Sequence, residues 1–485
     1  MSADEKLFGR LPILSEPEVQ SILDGALDTL GTTGVRFEDR EARDILVAAG
    51  ATVVGEDVRL PKDLVLSALS ESPSLIVLPA RDPAHSIELG QRRFVTTNGF
   101  GTAYVLDGRS GARREAVAED MARLTRLSDR LSEVGFCQHL VSPSDLAQDV
   151  LDVALPCIAL ANTSKHCHLS SYSSAYADQV FDLGEIVAEG CATEVPPYSL
   201  GCCSLSPLRF PKEATALLRK AVQRGIPFLV VCGAVAGVTS PVTLAGSLVV
   251  QTAELLAAST LAQTVRPGAA IAWGSFTSPM DPRTTRQSLG GAELSLVNGA
   301  TAQICRHVGV PFGYGTGGVS DASSVGIQAG IEKALTTLSA ALAGVEVIHD
   351  AASGIIDSGL TVSYEQLVID DEMCRVVRRF LRGIDVDEST LALDVIAAAG
   401  PGGSYPALPH TALHFRKELH LTDFWVKGQE EEDADVVKRA AVRAETLAAS
   451  PPRQPLSEDQ VRAMLKIWTS VGLPEDVGRG LLPSA

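Results

Sequence analysis

The sequence predicts an α/β chain that folds as a (β/α)8 TIM barrel, preceded by an N-terminal α+β segment and followed by a C-terminal helical extension. Three observations predict it. From about residue 116, amphipathic helical stretches alternate with short apolar runs over ~250 residues, the rhythm of a barrel. The runs are apolar on both faces, as in "IPFLVVC" at 226–232, which suits parallel strands covered on both sides. The phrase helix, glycine, strand also recurs: "KEATALLRKAVQRG" leads into "IPFLVVC", and "RPGAAIAWGS" (266–275), "HVGVPFGYG" (307–315) and "ALAGVEVIHD" (341–350) repeat it. A doubly wound open sheet is the alternative, but the G-x-G-x-x-G at 313–318 begins inside the strand-like run "HVGVPFGYG" rather than after it.

The elements follow in order. Ser15 with Glu18 three residues on forms a capping box, and Pro17 sits in the first turn. Val19, Ile22, Leu23, Ala26, Leu27 and Leu30 then share one helical face up to Gly31. A second helix is expected near 40–49 and short strands at 52–60, 75–79 and 94–106. These make the N-terminal α+β segment, residues 1–115. The barrel core is assigned to 116–385. Weaker strands are expected at 134–141, 164–171 and 198–205, before the four clear ones. An eighth lies near 94–98 or after 385. The helix that ends at Gly225 presents Ala214, Leu217, Leu218, Ala221 and Val222 on one face. The helix before 345 presents Ile331, Ala334, Leu335, Leu338, Ala341 and Leu342. Residues 386–485 form the C-terminal loop and helical extension. There "EEEDAD" (430–435) reads as a solvated turn, and "PPRQPLSEDQ" leads into a last helix capped by Ser457 and Gln460.

Composition removes several functions. A net charge of −18 over 485 residues repels nucleic acid and anionic membranes. The nine cysteines show no C-x-x-C and no framework spacing, unlike a small secreted domain. The polar start "MSADEKLFGR" is no signal peptide, and no uninterrupted apolar run approaches ~18 residues. A soluble, cytoplasmic protein is expected.

Barrel chemistry gathers where the strands end. That rule selects His139, His166, His168, Ser204, Trp273, Phe276, Tyr314, His349 and Asp350, with Phe100 and Tyr405 in loops able to close over the mouth. Trp273, Phe276 and Tyr314 come from consecutive units. They either line one wall, where rings hold a quaternary ammonium by cation–π contact, or fill the barrel top as core. His349 either serves the site as its catalytic candidate or is structural. Asp350 either orients it or a cation, or caps the next helix. A zinc site from His166, His168 and His139, the basis of a metal-assisted hydrolase, is an alternative reading. The alternation along "HCH" turns Cys167 away, and no His-x-x-x-His completes a ligand set. Lys165 as a Schiff-base lysine and "GTGG" (315–318) as a phosphate cradle are weaker readings. A non-catalytic binder of methylated amines is a further alternative.

"LPILSEPEVQSILDGALDTLGTTGV" (11–35), "PVTLAGSLVVQTAELLA" (241–257), "SYEQLVIDDE" (363–372), "GPGG" (400–403) and "HTALHFRKE" (410–418), in this order, resemble the trimethylamine:corrinoid methyltransferase family. The resemblance covers nearly the whole chain and is nearer the branch without pyrrolysine, which includes glycine betaine methyltransferases. It implies a barrel that moves a methyl group from a methylated amine to the Co(I) of a corrinoid (cobalamin). The loop "GTGGVSDASS" (315–324), where pyrrolysine members carry that residue, has ordinary residues here, so the resemblance implies a quaternary, betaine-like amine. "DPRTTR" (281–286) and "SKHCHLSS" (164–171) depart from the family pattern. No D-x-H-x-x-G of a corrinoid carrier is present, so the corrinoid is expected on a separate partner protein, with no tightly bound metal. On this reading Trp273, Phe276, Tyr314 and Phe100 wall the substrate, His349 or Arg283 takes a betaine carboxylate, and Gly402, Gly403, Tyr405, His410 and His414 form the rim where the corrinoid docks. A homo-oligomer is expected of a large barrel enzyme.

Overall fold

The computed structural model describes residues 5–107, 111–170, 173–189, 191, 195–422, 424–425 and 435–483. Most of the acidic run at 430–435 and the end of "SKHCHLSS" lie outside them.

Seven parallel strands form the central sheet. In spatial order they are Val95–Thr96, Val347–His349, Phe312–Thr316, Ile271–Ser275, Phe228–Cys232, Tyr198–Cys203 and Cys167–Ser170. The two outer strands are both met by the segment 134–137, through parallel bridges Thr96 to Val134 and Cys137 to Cys167. The strand expected at 134–141 is thus reduced to bridges, and the one expected near 94–98 is in the ladder. Helices Ala118–Arg130, Leu151–Asn162, Ala177–Ala188, Lys212–Gln223, Leu244–Val265, Ala292–Val308, Ile327–Ala343 and Tyr364–Arg382 alternate with these segments.

The N-terminal part closes the end at which the strands begin. The helix Glu16–Thr32 carries the expected capping box and buries the expected six residues. The hairpin Ile76–Leu78/Ile87–Leu89 inserts Ile76, Leu78, Ile87 and Leu89 among Phe136, Leu229, Val231, Ala272 and Val347. It is tied to the strand starts: Glu346 accepts the backbone N–H of Gly90 at 2.8 Å and of Arg92 at 3.0 Å. The strand-end side is roofed by a smaller sheet, 355–356, 361–362, 104–106 and 113–115. The C-terminal helices Val436–Ala449 and Glu458–Ser470 pack back on the helices around the sheet, with Trp468 buried and donating to the Pro474 carbonyl at 2.8 Å.

Two expectations are corrected. The helix Ile327–Ala343 turns its small and polar side inward: Ala329, Lys333, Thr336, Thr337, Ala340 and Ala341 are buried. Ile327, Ile331 and Leu335 are 84%, 61% and 57% exposed. Only a small-residue face fits closely on the sheet, and the buried Lys333 is neutralised by Asp370 at 2.9 Å. The "GPGGSYPALPHTALHF" stretch does not spring from the side where the strands end. The helix Tyr364–Arg382 returns the chain to the strand-start end, where Arg378 holds Glu5 and the Phe94 carbonyl. Residues 385 and 418 are tied there by Lys6–Asp385 (2.6 Å) and by Arg379 to the Glu418 carbonyl (2.9 Å). Gly402, Gly403, Tyr405, His410 and His414 therefore sit on an arm rooted at the opposite end from His349. His410 and His414 stack on each other, with centroids 4.3 Å apart.

Candidate active site

Strand alternation sorts the side chains into two shells. Val347 and His349 face the inside of the sheet, and Ile348 between them faces the helices. Ser199 and Gly201 face inward on Tyr198–Cys203, whereas Leu200 and Cys202 join the outer core. Small inward residues leave room for rings. A Cβ on Gly274 would meet the Tyr314 Cβ at 2.8 Å, and one on Gly201 would meet His168 Cε1 at 2.6 Å.

The result is a cup of rings at the strand ends. His349 is fully buried and stacks on Tyr314 at 3.6 Å between centroids and 22° between planes. His168 meets Tyr314 edge-on at 6.3 Å. Phe136 stands edge-on to His166 at 5.9 Å and to His168 at 6.3 Å. Phe100 meets His139 at 4.4 Å. Phe276 packs on the same inner cluster as Tyr314 and Val231.

Asp350 turns back on its neighbour. Its backbone adopts φ +70°, and its Oδ2 stands 2.6 Å from His349 Nδ1. The residue is not a helix cap; it orients the imidazole. Gly99 leaves the space it occupies, because a Cβ there would lie 2.4 Å from Asp350 Oδ1 and 2.0 Å from Ile355 Cδ1. His349 Nε2 and Asp350 Oδ1 are both buried and make no hydrogen bond within the described residues. Leaving such atoms unmet costs about 1–3 kcal/mol each, which a ligand recovers. Gln138 Oε1, Ser278 Oγ and Thr316 Oγ1 are in the same condition, as are both ring nitrogens of His139. Thr316 is paired with His349 across the sheet.

The other histidines are held neutral. Burial pushes His139 down to about 3 and His166 down to about 4. His168 is lowered well below the ordinary value by burial first, then by the charges that His349, His166 and His139 can carry. His166 Nδ1 lies 2.7 Å from the Pro79 carbonyl and its Nε2 lies 2.9 Å from Ser199 Oγ, which is 3.0 Å from His168 Nδ1. They are joined through a serine rather than converging on a point, and among the described residues no His, Cys, Asp and Glu group could hold a metal ion.

Several expected site residues stand elsewhere. Trp273 points outward: its Nε1 donates to Ser259 Oγ at 2.8 Å on the helix Leu244–Val265. It alternates with the inward Ala272 and Gly274, so it cannot share a wall with Tyr314. Arg283 is 86% exposed and closes on Asp281 at 2.9 Å, away from the cup. Lys165 precedes its strand and donates to the carbonyls of Ser128 (2.9 Å) and Leu131 (2.6 Å), capping the end of the helix Ala118–Arg130. Ser204 is bound to Glu254, which also accepts from Ser206 Oγ at 2.9 Å and from the Leu208 N–H at 2.7 Å. In "GTGG", Gly315 and Thr316 end the strand Phe312–Thr316, and Gly318, at φ +73°, gives its carbonyl to Lys333, so the stretch is a strand end and the bend after it. Phe136, Ser199, Gly99 and Thr316 were not expected from sequence; the cross-strand register that sets Ser199 beside His168 and Thr316 beside His349 is what reaches two of them.

Comparison with known proteins agrees with this architecture. The family model described as "Trimethylamine methyltransferase (MTTB)" matches residues 4–466. A trimethylamine methyltransferase of Desulfitobacterium hafniense (strain DSM 10664 / DCB-2) is 31% identical over 408 residues, 83% of this chain and 82% of that protein. A glycine betaine methyltransferase of D. hafniense (strain Y51) is 29% identical over 461 residues, 92% of this chain and 95% of that protein. A trimethylamine methyltransferase of Methanosarcina barkeri is 34% identical over 414 residues, covering 83% and 82%. The solved monomethylamine methyltransferase of M. barkeri shares the fold, with a TM-score of 0.50 over 98% of this chain and 90% of that one at 10% identity.

Proposed function

The chain belongs to the trimethylamine methyltransferase family, and on that premise we propose that it transfers a methyl group from a quaternary, betaine-like amine to the Co(I) of a corrinoid carried by a separate protein. The observation that carries the reading is the ring-lined cup in which Tyr314 stacks on His349 while His349 Nε2 and Asp350 Oδ1 stay unpaired. The similarity to a glycine betaine methyltransferase over 92% of the chain supports it.

The chemistry asks little of acids or bases. Co(I) attacks the N-methyl carbon with its electron pair. The C–N pair stays on nitrogen, which leaves as a neutral tertiary amine. The protein's tasks are to hold the cation in line and to exclude water. Tyr314 and Phe276 offer ring faces and edges to N-methyl groups, and the Asp350 carboxylate supplies the opposite charge. With Nδ1–H donated to Asp350, the imidazolium form of His349 offers Nε2–H to a betaine carboxylate.

The sheet itself is proposed to be a closed eight-stranded barrel, with 134–137 as its eighth stave; its bridges to both outer strands support this. Copies of the chain are proposed to associate, which the exposed apolar arm and the Ile327, Ile331 and Leu335 stripe support. Nine unpaired cysteines support a reducing, cytoplasmic setting. The test is direct: incubate the protein with chemically reduced cobalamin and a panel of glycine betaine, proline betaine, carnitine and choline, and record the visible spectrum. Methylcobalamin with at least one of them is expected. No change with any sinks the reading.

A further inference from the structure

We propose that His168 is a specificity-determining residue and that the cup takes a quaternary amine bearing a hydroxyl group, recognised through its O–H. The inference rests on the reading of the cup as a quaternary-amine site and narrows its substrate class.

A chain of hydrogen bonds behind the cup has its direction set at one end. The Pro79 carbonyl can only accept, so His166 Nδ1 carries the proton of their 2.7 Å contact. His166 is neutral, since burial lowers it to about 4, so its Nε2 is an acceptor. Ser199 Oγ therefore donates to His166 Nε2 at 2.9 Å. Having spent its proton, that oxygen accepts from His168 Nδ1–H at 3.0 Å. His168 is also held neutral by burial, so its Nε2 is left as a bare lone pair. The backbone carbonyl thus fixes the tautomer of a ring two links away.

That lone pair faces the cup. His168 pairs across the sheet with Ser199, on the inward side. Its ring lies over Gly201, where a Cβ would be 2.8 Å from Nε2. It meets Tyr314 edge-on, and Tyr314 carries His349 on its face. Nε2 makes no hydrogen bond within the described residues. One side of the cup carries the unpaired Nε2 of His349, proposed to meet a carboxylate, and another presents the His168 acceptor. A quaternary nitrogen has no N–H to give it, so the donor has to be an O–H on the carbon frame. Glycine betaine has none and leaves the acceptor stranded.

The test uses two pairs that differ only in that group: carnitine against γ-butyrobetaine, and choline against ethyltrimethylammonium. Binding to the full-length protein is measured by calorimetry. In at least one pair the hydroxylated member is expected to bind about tenfold tighter or more, because a site built to hydrogen-bond a hydroxyl rejects the analogue without it. Ser199→Ala breaks the chain and should bring that ratio to about one. His168→Gln, which keeps an acceptor, should retain a preference. Ratios near one in the wild type, or an unaltered ratio in Ser199→Ala, overturn the proposal. If glycine betaine methylates reduced cobalamin while both ratios are near one, this inference alone fails. If none of the four binds and no betaine reacts, the broader reading fails with it.

Discussion

His349 lies flat on Tyr314, 3.6 Å between ring centroids, and the stack does two things at once. It limits rotation of the imidazole, and it places Nε2 beside the ring face that an N-methyl group would touch. With Nδ1 held by Asp350 at 2.6 Å, the flip of the ring is fixed as well. His349→Ala removes the group proposed to take a carboxylate. Affinity for glycine betaine should fall about tenfold to a hundredfold, the worth of a hydrogen bond to a charged group. Affinity for choline should change only a few-fold. Calorimetry with both ligands checks this, and equal losses would remove the carboxylate role.

Asp350 keeps its position because Gly99 has no side chain. Gly99→Ala puts a methyl 2.4 Å from Asp350 Oδ1 and 2.0 Å from Ile355 Cδ1. Something has to move, and overpacking of this kind costs about 1–3 kcal/mol of stability. The expected outcome is a lower urea midpoint with an unchanged circular dichroism spectrum. Methyl transfer should fall more steeply than the folded fraction does, since the shift displaces the carboxylate that aims His349. Activity that tracks only the folded fraction would detach Gly99 from the site.

The strand ends were legible in the sequence because apolar runs stop abruptly at polar residues, and His349, Tyr314, His168 and Asp350 come together as that rule requires. The inner or outer side of each strand was not. Trp273 needs one fact, that Ala272 and Gly274 face inward, and composition cannot supply it. The Ser199 link needed the register that sets Ser199 beside His168. On the helix Ile327–Ala343, the strongest apolar periodicity pointed to the wrong face, because the inner face is chosen by close fit and by the Lys333–Asp370 pair. The arm was misplaced for a topological reason: a helix that follows the last strand carries the chain back to the opposite end.

That buried pair yields a third prediction. Lys333 Nζ donates to Asp370 Oδ2 at 2.9 Å and also to the Gly318 carbonyl, while Asp370 accepts the Gly354 N–H at 2.8 Å. Lys333→Met alone strands a buried carboxylate, and breaking such a pair typically costs about 3–5 kcal/mol. The double variant Lys333→Met with Asp370→Leu should recover part of the loss. Urea unfolding of the single and double variants measures it. A single variant as stable as the wild type would show that the pair is not what fixes this helix face.

The neutral histidines make the fold acid-sensitive. His139 is lowered to about 3 and His166 to about 4 by burial, so in acid the unfolded chain binds protons that the native one does not. Stability is therefore full above the ordinary histidine value of 6.5 and is lost as pH falls towards these lowered values. By pH 5 the two together remove roughly 4 kcal/mol. His139 has no hydrogen-bonding partner among the described residues, so His139→Leu should flatten the stability–pH slope by about one proton. Urea midpoints at pH 7 and pH 5 decide; an identical slope in the variant would mean that His139 does not titrate on unfolding.

The arm and the exposed stripe call for a partner surface. The helices Glu388–Leu391, Leu393–Ala399 and Pro409–Glu418 bury no residue of their own, and Val386, Leu393 and Leu413 are 72%, 68% and 76% exposed. Isolated helices shorter than about 12–15 residues are marginal in water, and the proposed association would give these segments a surface to pack on. The stripe of Ile327, Ile331 and Leu335 repeats every fourth residue on one helix and is equally uncovered. A second copy of the chain carries both surfaces in equal number. Light scattering after gel filtration should therefore find an oligomer of the full-length protein. Replacing 386–417 by a short Gly-Ser link spares the roots of the arm, because Lys6–Asp385 and Arg379–Glu418 remain. That variant, and separately Ile331→Glu with Leu335→Glu, should each shift the mass towards the monomer without unfolding the barrel. A full-length protein that is monomeric at micromolar concentration would leave the arm without this role.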